Sequence, residues 1–209
     1  MSIFPGYHLI AAARNLVLLA LLLLSGAAQA KTLLVLGDSL SAGYGIDIEQ
    51  GWVQLLQDRL DQRGDFTVVN ASIGGETTGG GLARLPDLLK EFQPDLVIVE
   101  LGGNDGLRGH PIKLIRRNLT AMVELNRAAG AATLLVGIQI PPNYGARYTR
   151  QFSAVFPQVA EELSLPLVPF FLDKVALREG AMQSDGIHPN TSAQPQMLDN
   201  VWPYLEPML

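Results

Sequence analysis

The chain of 209 residues contains no cysteine and only three histidines, and both features narrow the chemistry open to it. Without cysteine there is no disulfide framework, thiolate zinc site, iron–sulfur cluster or cysteine nucleophile. His110 and His188 are far apart and have no clustered carboxylates near them, which disfavours a metal site. A Gly-x-x-x-x-Gly-Lys-[Ser/Thr] phosphate loop is also absent from the sequence. We therefore expect neither a metal nor another cofactor.

Basic residues are few as well. Fifteen Lys and Arg residues stand against twenty Asp and Glu residues, giving a net charge of -5. Nucleic-acid phosphates call for a basic face, so we expect no nucleic-acid partner.

The length suits one domain. The mean hydropathy of +0.21 is high for a soluble domain, and much of the excess lies at the amino end.

The first thirty residues lack Asp and Glu and have the pattern of a secretory signal peptide. Arg14 precedes the apolar run 16–24, and Ala28-Gln29-Ala30 follows it, which predicts cleavage after Ala30. The alternative is a membrane anchor, but spanning needs about 20 apolar residues. That length is reached only by including Arg14 and Asn15. We expect a leader at 1–30 and a mature domain at 31–209 with a net charge of -6 and no stable membrane span. Such a chain would be exported by a bacterium to the periplasm or the medium.

The mature part alternates short apolar runs with amphipathic stretches of helical period. The apolar runs are 32–36, 66–70, 96–101, 133–138 and 165–169. The helical stripes fall within 52–60, 82–92, 112–123 and 152–163. This alternation predicts a single α/β domain whose parallel sheet is covered on both sides. Prolines in the last apolar run indicate an edge strand. Pro157 predicts a kink or a broken first turn in the fourth helix. The tail 193–209 also contains prolines, and its helix is the least certain of the predicted elements.

Ligands of such sheets bind beyond the carboxyl ends of the strands, and Ser39 lies just after the first apolar run. A serine at a strand-to-helix turn can be a nucleophile, but it can equally be a helix N-cap, a position that both Ser and Asp favour. Residue 41 is Ser, so the Gly-x-Ser-x-Gly elbow of α/β-hydrolases is absent. A nucleophilic serine needs a base and a carboxylate that orients the base. Asp185 and His188 have a spacing that lets the carboxylate fold back onto the imidazole.

Two further positions can supply hydrogen-bond donors to a developing oxyanion. Gly75 can bring a backbone N–H close to a ligand, and Asn104 carries a side-chain amide. Each residue taken alone is better explained as part of a turn. Together with Ser39, they follow the first three predicted strands, so one crevice can hold all of them.

The sequence resembles the SGNH hydrolases of the GDSL esterase/lipase family. Four blocks carry the resemblance, namely Gly37-Asp38-Ser39-Leu40, Asn70-Ala71-Ser72-Ile73-Gly74-Gly75, Gly102-Gly103-Asn104-Asp105 and Asp185-Gly186-Ile187-His188-Pro189. Finer matches at 81–86, 99–109 and 142–145 resemble the exported bacterial branch described as thioesterase I, lysophospholipase or arylesterase.

The resemblance implies a flavodoxin-like three-layer α/β/α sandwich with a five-stranded parallel sheet. It also implies Ser39 as nucleophile, His188 as general base and acid, and Asp185 as the group that orients His188. The oxyanion hole would combine the amides of Ser39 and Gly75 with the Asn104 side chain. Gly74 precedes Gly75, and we choose Gly75 because the family register places it there.

The resulting hypothesis is hydrolysis of acyl esters, thioesters or lysophospholipids by a monomer with an acyl-enzyme on Ser39. Loops after Asn104 and after the fourth strand would flank the crevice, which makes Leu107, Ile140, Pro141 and Tyr144 candidates for acyl-chain binding, although ordinary loop packing explains them equally well. A carbohydrate acetylesterase is the alternative enzyme. A catalytically silent binding module is the alternative from another class.

Overall fold

The computed structural model describes residues 30–209, and the predicted leader, except for Ala30, lies outside them. In this described part of the chain, five parallel strands form one sheet in the order β2-β1-β3-β4-β5. They are β1 (Lys31–Gly37), β2 (Phe66–Asn70), β3 (Leu96–Glu100), β4 (Ala132–Val136) and β5 (Leu167–Val168). The predicted α/β fold with a five-stranded parallel sheet is confirmed.

The strands follow the apolar runs, with differences of one or two residues at their ends. β4 stops at Val136, two residues before the end of the predicted run, although the Gly137 N–H still donates to the Val168 carbonyl at 2.8 Å. A Cβ on Gly137 would stand 2.4 Å from the Pro169 carbonyl oxygen, so only glycine fits this approach. β5 has two residues and lies at the sheet edge, as its flanking prolines predicted.

Between residues 30 and 209, seven α-helices connect and cover the strands. They are α1 (Ser39–Ala42), α2 (Trp52–Asp61), α3 (Thr78–Phe92), α4 (Gly103–Leu107), α5 (Ile112–Ala128), α6 (Ala146–Leu163) and α7 (Gln194–Leu205). One apolar core lies between the sheet and helices α2 and α7, and a second lies between the sheet and helices α3, α5 and α6. Alternate residues of β1 enter opposite cores, Leu33 on one side and Leu34 on the other, which produces three layers.

Proline affects the helices less than the sequence predicts. α6 begins at Ala146 and continues through Pro157 to Leu163, so the predicted broken first turn is wrong. Proline removes one helical hydrogen bond, but Phe152 and Phe156 are fully buried on the same helix and hold it against the sheet. The proline-containing tail 193–209 also forms a helix, α7, which continues through Pro203.

None of the helices built from residues 30–209 is both long and apolar enough to span a bilayer.

Candidate active site

Ser39 lies at the carboxyl end of β1, where the chain passes directly into α1. The helix N-cap is Asp38, whose Oδ1 accepts a hydrogen bond from the backbone N–H of Leu40 at 3.0 Å. Ser39 therefore does not serve as the cap. Its Oγ instead lies 2.9 Å from Nε2 of His188, a residue 149 positions further along the chain. The fold has brought the two predicted residues into hydrogen-bond contact.

Asp185 completes this set of three side chains. Its Oδ2 lies 2.7 Å from Nδ1 of His188, and its Oδ1 accepts the backbone N–H groups of Ile187 at 2.9 Å and His188 at 3.0 Å. The His188 backbone N–H, its imidazole and the Ile187 N–H lower the pKa of Asp185 to about 2, although the carboxylate is exposed. An ionised carboxylate can only accept hydrogen bonds, so Nδ1 carries the proton and Nε2 is free to accept from Ser39.

The loop that carries Asp185 and His188 is folded back on itself. Met182 pairs with Pro189 in an antiparallel bridge, and the backbone N–H of Gln183 donates to the His188 carbonyl at 2.7 Å. The Gln183 side chain reaches further, since its Nε2 donates to the carbonyl of Tyr44 at 2.7 Å. This glutamine therefore ties the His188 loop to the segment that follows α1, so that the imidazole and Ser39 keep their relative position.

One of the two further predicted oxyanion donors, Asn104, contacts the residue that precedes Ser39. The Nδ2 of Asn104 donates to Oδ2 of Asp38 at 3.0 Å, immediately next to the serine. Gly75 lies in a turn with φ +76, a value that favours glycine, and its carbonyl accepts from the Arg108 guanidinium at 3.0 Å. Within residues 30–209, the backbone N–H groups of Ser39, Gly74 and Gly75 have no protein acceptor. The choice of Gly75 over Gly74 stays a prediction.

Two buried carboxyl groups beneath Ser39 were missed by the sequence analysis. Glu100 ends β3 and is fully buried, where its Oε2 accepts the Ser41 hydroxyl at 2.6 Å. Trp52 Nε1 donates to that same hydroxyl oxygen at 3.2 Å. Burial, and then the neighbouring charge of Asp38, raise the pKa of Glu100 well above its ordinary value.

Burial likewise raises the pKa of Asp38 to about 6, although hydrogen bonds from the Leu40 N–H and the Asn104 amide oppose the rise. The sequence does contain a signal for the buried carboxyl groups of Asp38 and Glu100. Glu100 interrupts an otherwise apolar run, and a charged residue in a strand buried on both faces requires polar partners.

The four candidate acyl-binding residues fall into two pairs. Ile140 is buried and Leu107 is half-buried, and both belong to the core on the side of α6. A Cβ added to Gly106 would stand 2.8 Å from Ile140, so this isoleucine packs directly beneath α4. Pro141 and Tyr144 are exposed in the loop that follows β4.

No group of three His, Asp or Glu side chains suited to a metal ion occurs in the part of the chain that the structure describes. A cavity of about 210 Å³ lies near the amino end of β4, at the end of the strands opposite to Ser39. It is lined by Arg127, Ala131, Ala132, Thr133, Ser164, Leu165, Pro166 and Met208. We assign it no role in the chemistry because Ser39, His188 and Asp185 meet at the carboxyl ends of the strands.

Comparison with known proteins decides the family. Residues 35–194 match the model of the GDSL-like lipase/acylhydrolase family. The chain belongs to this family. The sequence is 57% identical over 192 residues to esterase TesA of Pseudomonas aeruginosa, covering 91% of this chain and 96% of the relative. It is 48% identical over 192 residues to thioesterase 1/protease 1/lysophospholipase L1 of Escherichia coli K12, covering 92% and 91% of the two chains.

Two further matches agree with this result. An arylesterase of Vibrio mimicus is 50% identical over 190 residues, covering 90% of this chain and 95% of the relative. A crystal structure of TesA matches with a TM-score of 0.83 and 57% identity, covering 86% of this chain and all of the other. The GDSL membership inferred from the four sequence blocks is confirmed, and this GDSL-family chain is an enzyme of the ester-hydrolase class.

Proposed function

We propose that this hydrolase cleaves acyl esters and thioesters through an acyl-enzyme on Ser39. The observation that carries the proposal is the continuous contact from the Ser39 hydroxyl to Nε2 of His188 and from Nδ1 to Asp185, with distances of 2.9 Å and 2.7 Å. A serine, a base and an orienting carboxylate in this order constitute the machinery of acyl transfer.

In the first half-reaction, His188 takes the hydroxyl proton while Ser39 Oγ attacks the carbonyl carbon. Asp185 stays ionised and stabilises the imidazolium that forms. His188 then passes the proton to the leaving oxygen or sulfur as its bond to the carbonyl carbon breaks. In the second half-reaction, a water molecule loses a proton to His188 and attacks the acyl carbon. The bond from that carbon to Ser39 Oγ then breaks, and His188 returns the proton to Oγ, which releases the acid and restores Ser39.

The oxyanion of each tetrahedral intermediate would be bound by the backbone N–H groups of Ser39 and Gly75 and by the Asn104 amide. An amide nitrogen carries two hydrogens. Asp38 accepts one hydrogen of Asn104 Nδ2, which leaves the other for the oxyanion. Asp38 is thus proposed to hold Asn104 at the angle that catalysis needs, because preorganised donors contribute most in a site of this kind.

The acyl chain is proposed to lie over α4 and the loop after β4, against Leu107, Ile140, Pro141 and Tyr144. Ile140 is the residue of this set best placed to limit chain length, since it packs against Gly106 only two residues from Asn104. Changing Ile140 to Ser should alter the chain-length profile of p-nitrophenyl esters, and an unaltered profile would remove it from the acyl site.

The substrate class is proposed to include aryl esters, acyl thioesters and lysophospholipids, in line with the names of the three relatives described above. We propose further that residues 1–30 are a leader cleaved after Ala30, and that the mature chain acts as a monomer in the periplasm or the medium. A panel of ester, thioester and lysophospholipid substrates on purified residues 31–209 would rank the substrates.

The nucleophile is tested by covalent labelling with a fluorophosphonate probe. Ser39→Ala should abolish labelling and lower kcat by at least about 10³-fold, since the attacking oxygen is gone. Ser153→Ala is the matched control, because this serine lies in α6 and donates to the Thr149 carbonyl at 3.0 Å, within its own helix. Undiminished labelling of Ser39→Ala would exclude Ser39 as the nucleophile.

A further inference from the structure

The ring of Tyr44 lies against the imidazole of His188. Tyr44 comes directly after Gly43, the C-cap residue that follows α1. The two ring centroids are 4.3 Å apart, and the ring planes are inclined by 35°. The tyrosine ring therefore borders the base on which acyl transfer depends, although it forms no part of the contacts between Ser39, His188 and Asp185.

The backbone of Tyr44 is fixed from both sides. Its N–H donates to the Ser39 carbonyl at 3.1 Å, and its carbonyl accepts from Gln183 Nε2 at 2.7 Å. The next residue, Gly45, has φ +71, and a Cβ there would stand 2.3 Å from the Gln183 side-chain oxygen. These contacts set the position of the ring relative to both Ser39 and His188, so Tyr44 is more than a loose surface side chain.

Despite these contacts, Tyr44 is an exposed residue. Tyr44 is 56% exposed, and two exposed isoleucines lie in the same two segments: Ile187 is the residue before His188, and Ile48 lies within 4 Å of a Cβ added to Gly43. An exposed apolar group beside a reacting base has a surface available for a ligand.

The chemistry indicates which part of a substrate reaches this surface. Nδ1 of His188 is engaged by Asp185, so only Nε2 can deliver a proton to the leaving oxygen. A general acid must lie about 3 Å from the atom it protonates. The group attached to that oxygen is thereby brought next to His188, and a flat group there meets the Tyr44 ring at the spacing of stacked aromatic pairs, about 4.5–7 Å.

We propose that Tyr44 is a leaving-group subsite that binds the aromatic ring of aryl esters. During acylation the bond between the carbonyl carbon and the phenolic oxygen breaks, and the proton taken from Ser39 passes through Nε2 to that oxygen. The acyl group stays on Ser39, and a neutral phenol leaves across Tyr44. This inference rests on the proposed function and names the substrate class of the same site.

The test compares esters that share one acyl group. Phenyl, cyclohexyl and methyl butyrate give the same butyryl-enzyme, so deacylation is common to all three and only the leaving group differs. Tyr44→Ala should lower kcat/KM for phenyl butyrate about 10-fold more than for methyl butyrate, as the loss of a ring contact predicts. Cyclohexyl butyrate should be affected less than the phenyl ester, and Tyr44→Phe should retain the wild-type preference for phenyl.

Tyr204→Ala is the matched control, because Tyr204 is also partly exposed but lies in α7, and it should leave all three rates unchanged. An equal loss on all three esters, with a shifted pH profile, would overturn the proposal and make Tyr44 a positioning residue for His188. No loss on any ester would overturn it as well. Failure of the proposed function is distinguishable, since it would appear as Ser39-independent hydrolysis.

Discussion

The pKa values of the carboxyl groups around Ser39 are shifted in opposite directions, and this contrast separates the roles of these groups. Asp185 is exposed and accepts three hydrogen bonds, which holds its pKa at about 2. Asp38 and Glu100 are buried, and burial raises the pKa of both. Environments that shift the pKa values of neighbouring carboxyl groups in opposite directions are typical of hydrolytic sites. Asp185 is suited to a permanent negative charge, whereas Glu100 favours the protonated form.

The buried pair predicts a stability that declines as the pH rises. A raised folded-state pKa contributes stability below the ordinary value, 3.8 for Asp38, and that contribution is lost as the pH rises through about 6. Glu100 acts in the same sense, while Asp185 acts in the opposite sense and loses its contribution only as the pH falls through about 2. Glu100→Gln removes one of the two buried titrations.

Urea unfolding of wild type and Glu100→Gln between about pH 4 and pH 8 checks this prediction. The free energy of unfolding of the wild type should fall across this range, and that of Glu100→Gln should fall less. Glu49→Gln is the control, because Glu49 is exposed and should leave the wild-type slope unchanged. Equal slopes in wild type and Glu100→Gln would contradict a raised pKa at Glu100.

Asn104 provides a second prediction at this scale. Asn104→Ala should lower kcat by about 10²–10³-fold with a much smaller effect on KM, because an oxyanion donor acts mainly in the transition state. Asn200→Ala removes a side chain of the same type that donates to the Phe171 and Asp173 carbonyls, and it should change stability without lowering kcat. A comparable loss of kcat in both variants would argue against a catalytic role for Asn104.

At the scale of elements, the turn from β1 into α1 determines the site. Gly37 ends the strand, and a Cβ there would stand 2.8 Å from Glu100 Oε2 and from the Ser41 side chain. The close approach lets the buried carboxyl lie directly under the first turn of α1. Asp38 then caps that helix, and Ser39 is held at its start.

This geometry predicts that Gly37→Ala is costly. Overpacking should destabilise the fold by about 1–3 kcal/mol and lower kcat/KM, because α1 must shift. Gly79→Ala in α3 is the comparison, since its added Cβ would meet Asn118 at an ordinary 3.7 Å and replaces glycine within a helix. That variant should be neutral or stabilising by up to about 1 kcal/mol. Urea unfolding and ester kinetics measure both, and an equally mild Gly37→Ala would refute the close contact.

The sequence predicted the elements better than the contacts between them. The strands were visible as short runs rich in apolar residues, most clearly in β1, β3 and β4, whose side chains are mostly buried on both faces of the sheet. The family blocks also identified Ser39, Asp185 and His188, which the fold brings together. The continuity of α6 through Pro157 was not predictable, since it depends on burial of Phe152 against the sheet. The contact of Tyr44 with His188 likewise joins loops distant in sequence.

At the scale of the whole molecule, both apolar cores are built on one sheet. Trp52 and Trp202, the two tryptophans of the chain, lie on the side of α2 and α7, whereas Phe152 lies on the other side. Because each strand contributes side chains to both cores, loss of packing on one face should weaken the other. The domain 31–209 should therefore unfold as one cooperative unit.

Phe152→Ala tests this cooperativity. The substitution should destabilise the protein by about 3–5 kcal/mol, the usual cost of removing a buried phenylalanine. Tryptophan fluorescence reports on the opposite core, so its urea midpoint should shift together with the midpoint seen by circular dichroism. Two separated midpoints would show that the cores unfold independently.

The direction of the strands also separates the two ends of the domain from its crevice. Lys31 begins β1, and its side-chain Nζ donates to the Leu209 carbonyl. Both ends of the segment 31–209 therefore meet near the amino end of β1. Ser39 lies beyond the other end of β1, which at ~3.3 Å per residue is about 20 Å away. A protein of residues 31–209 fixed to a solid support through Lys31 or Leu209 would therefore present its crevice to the solution.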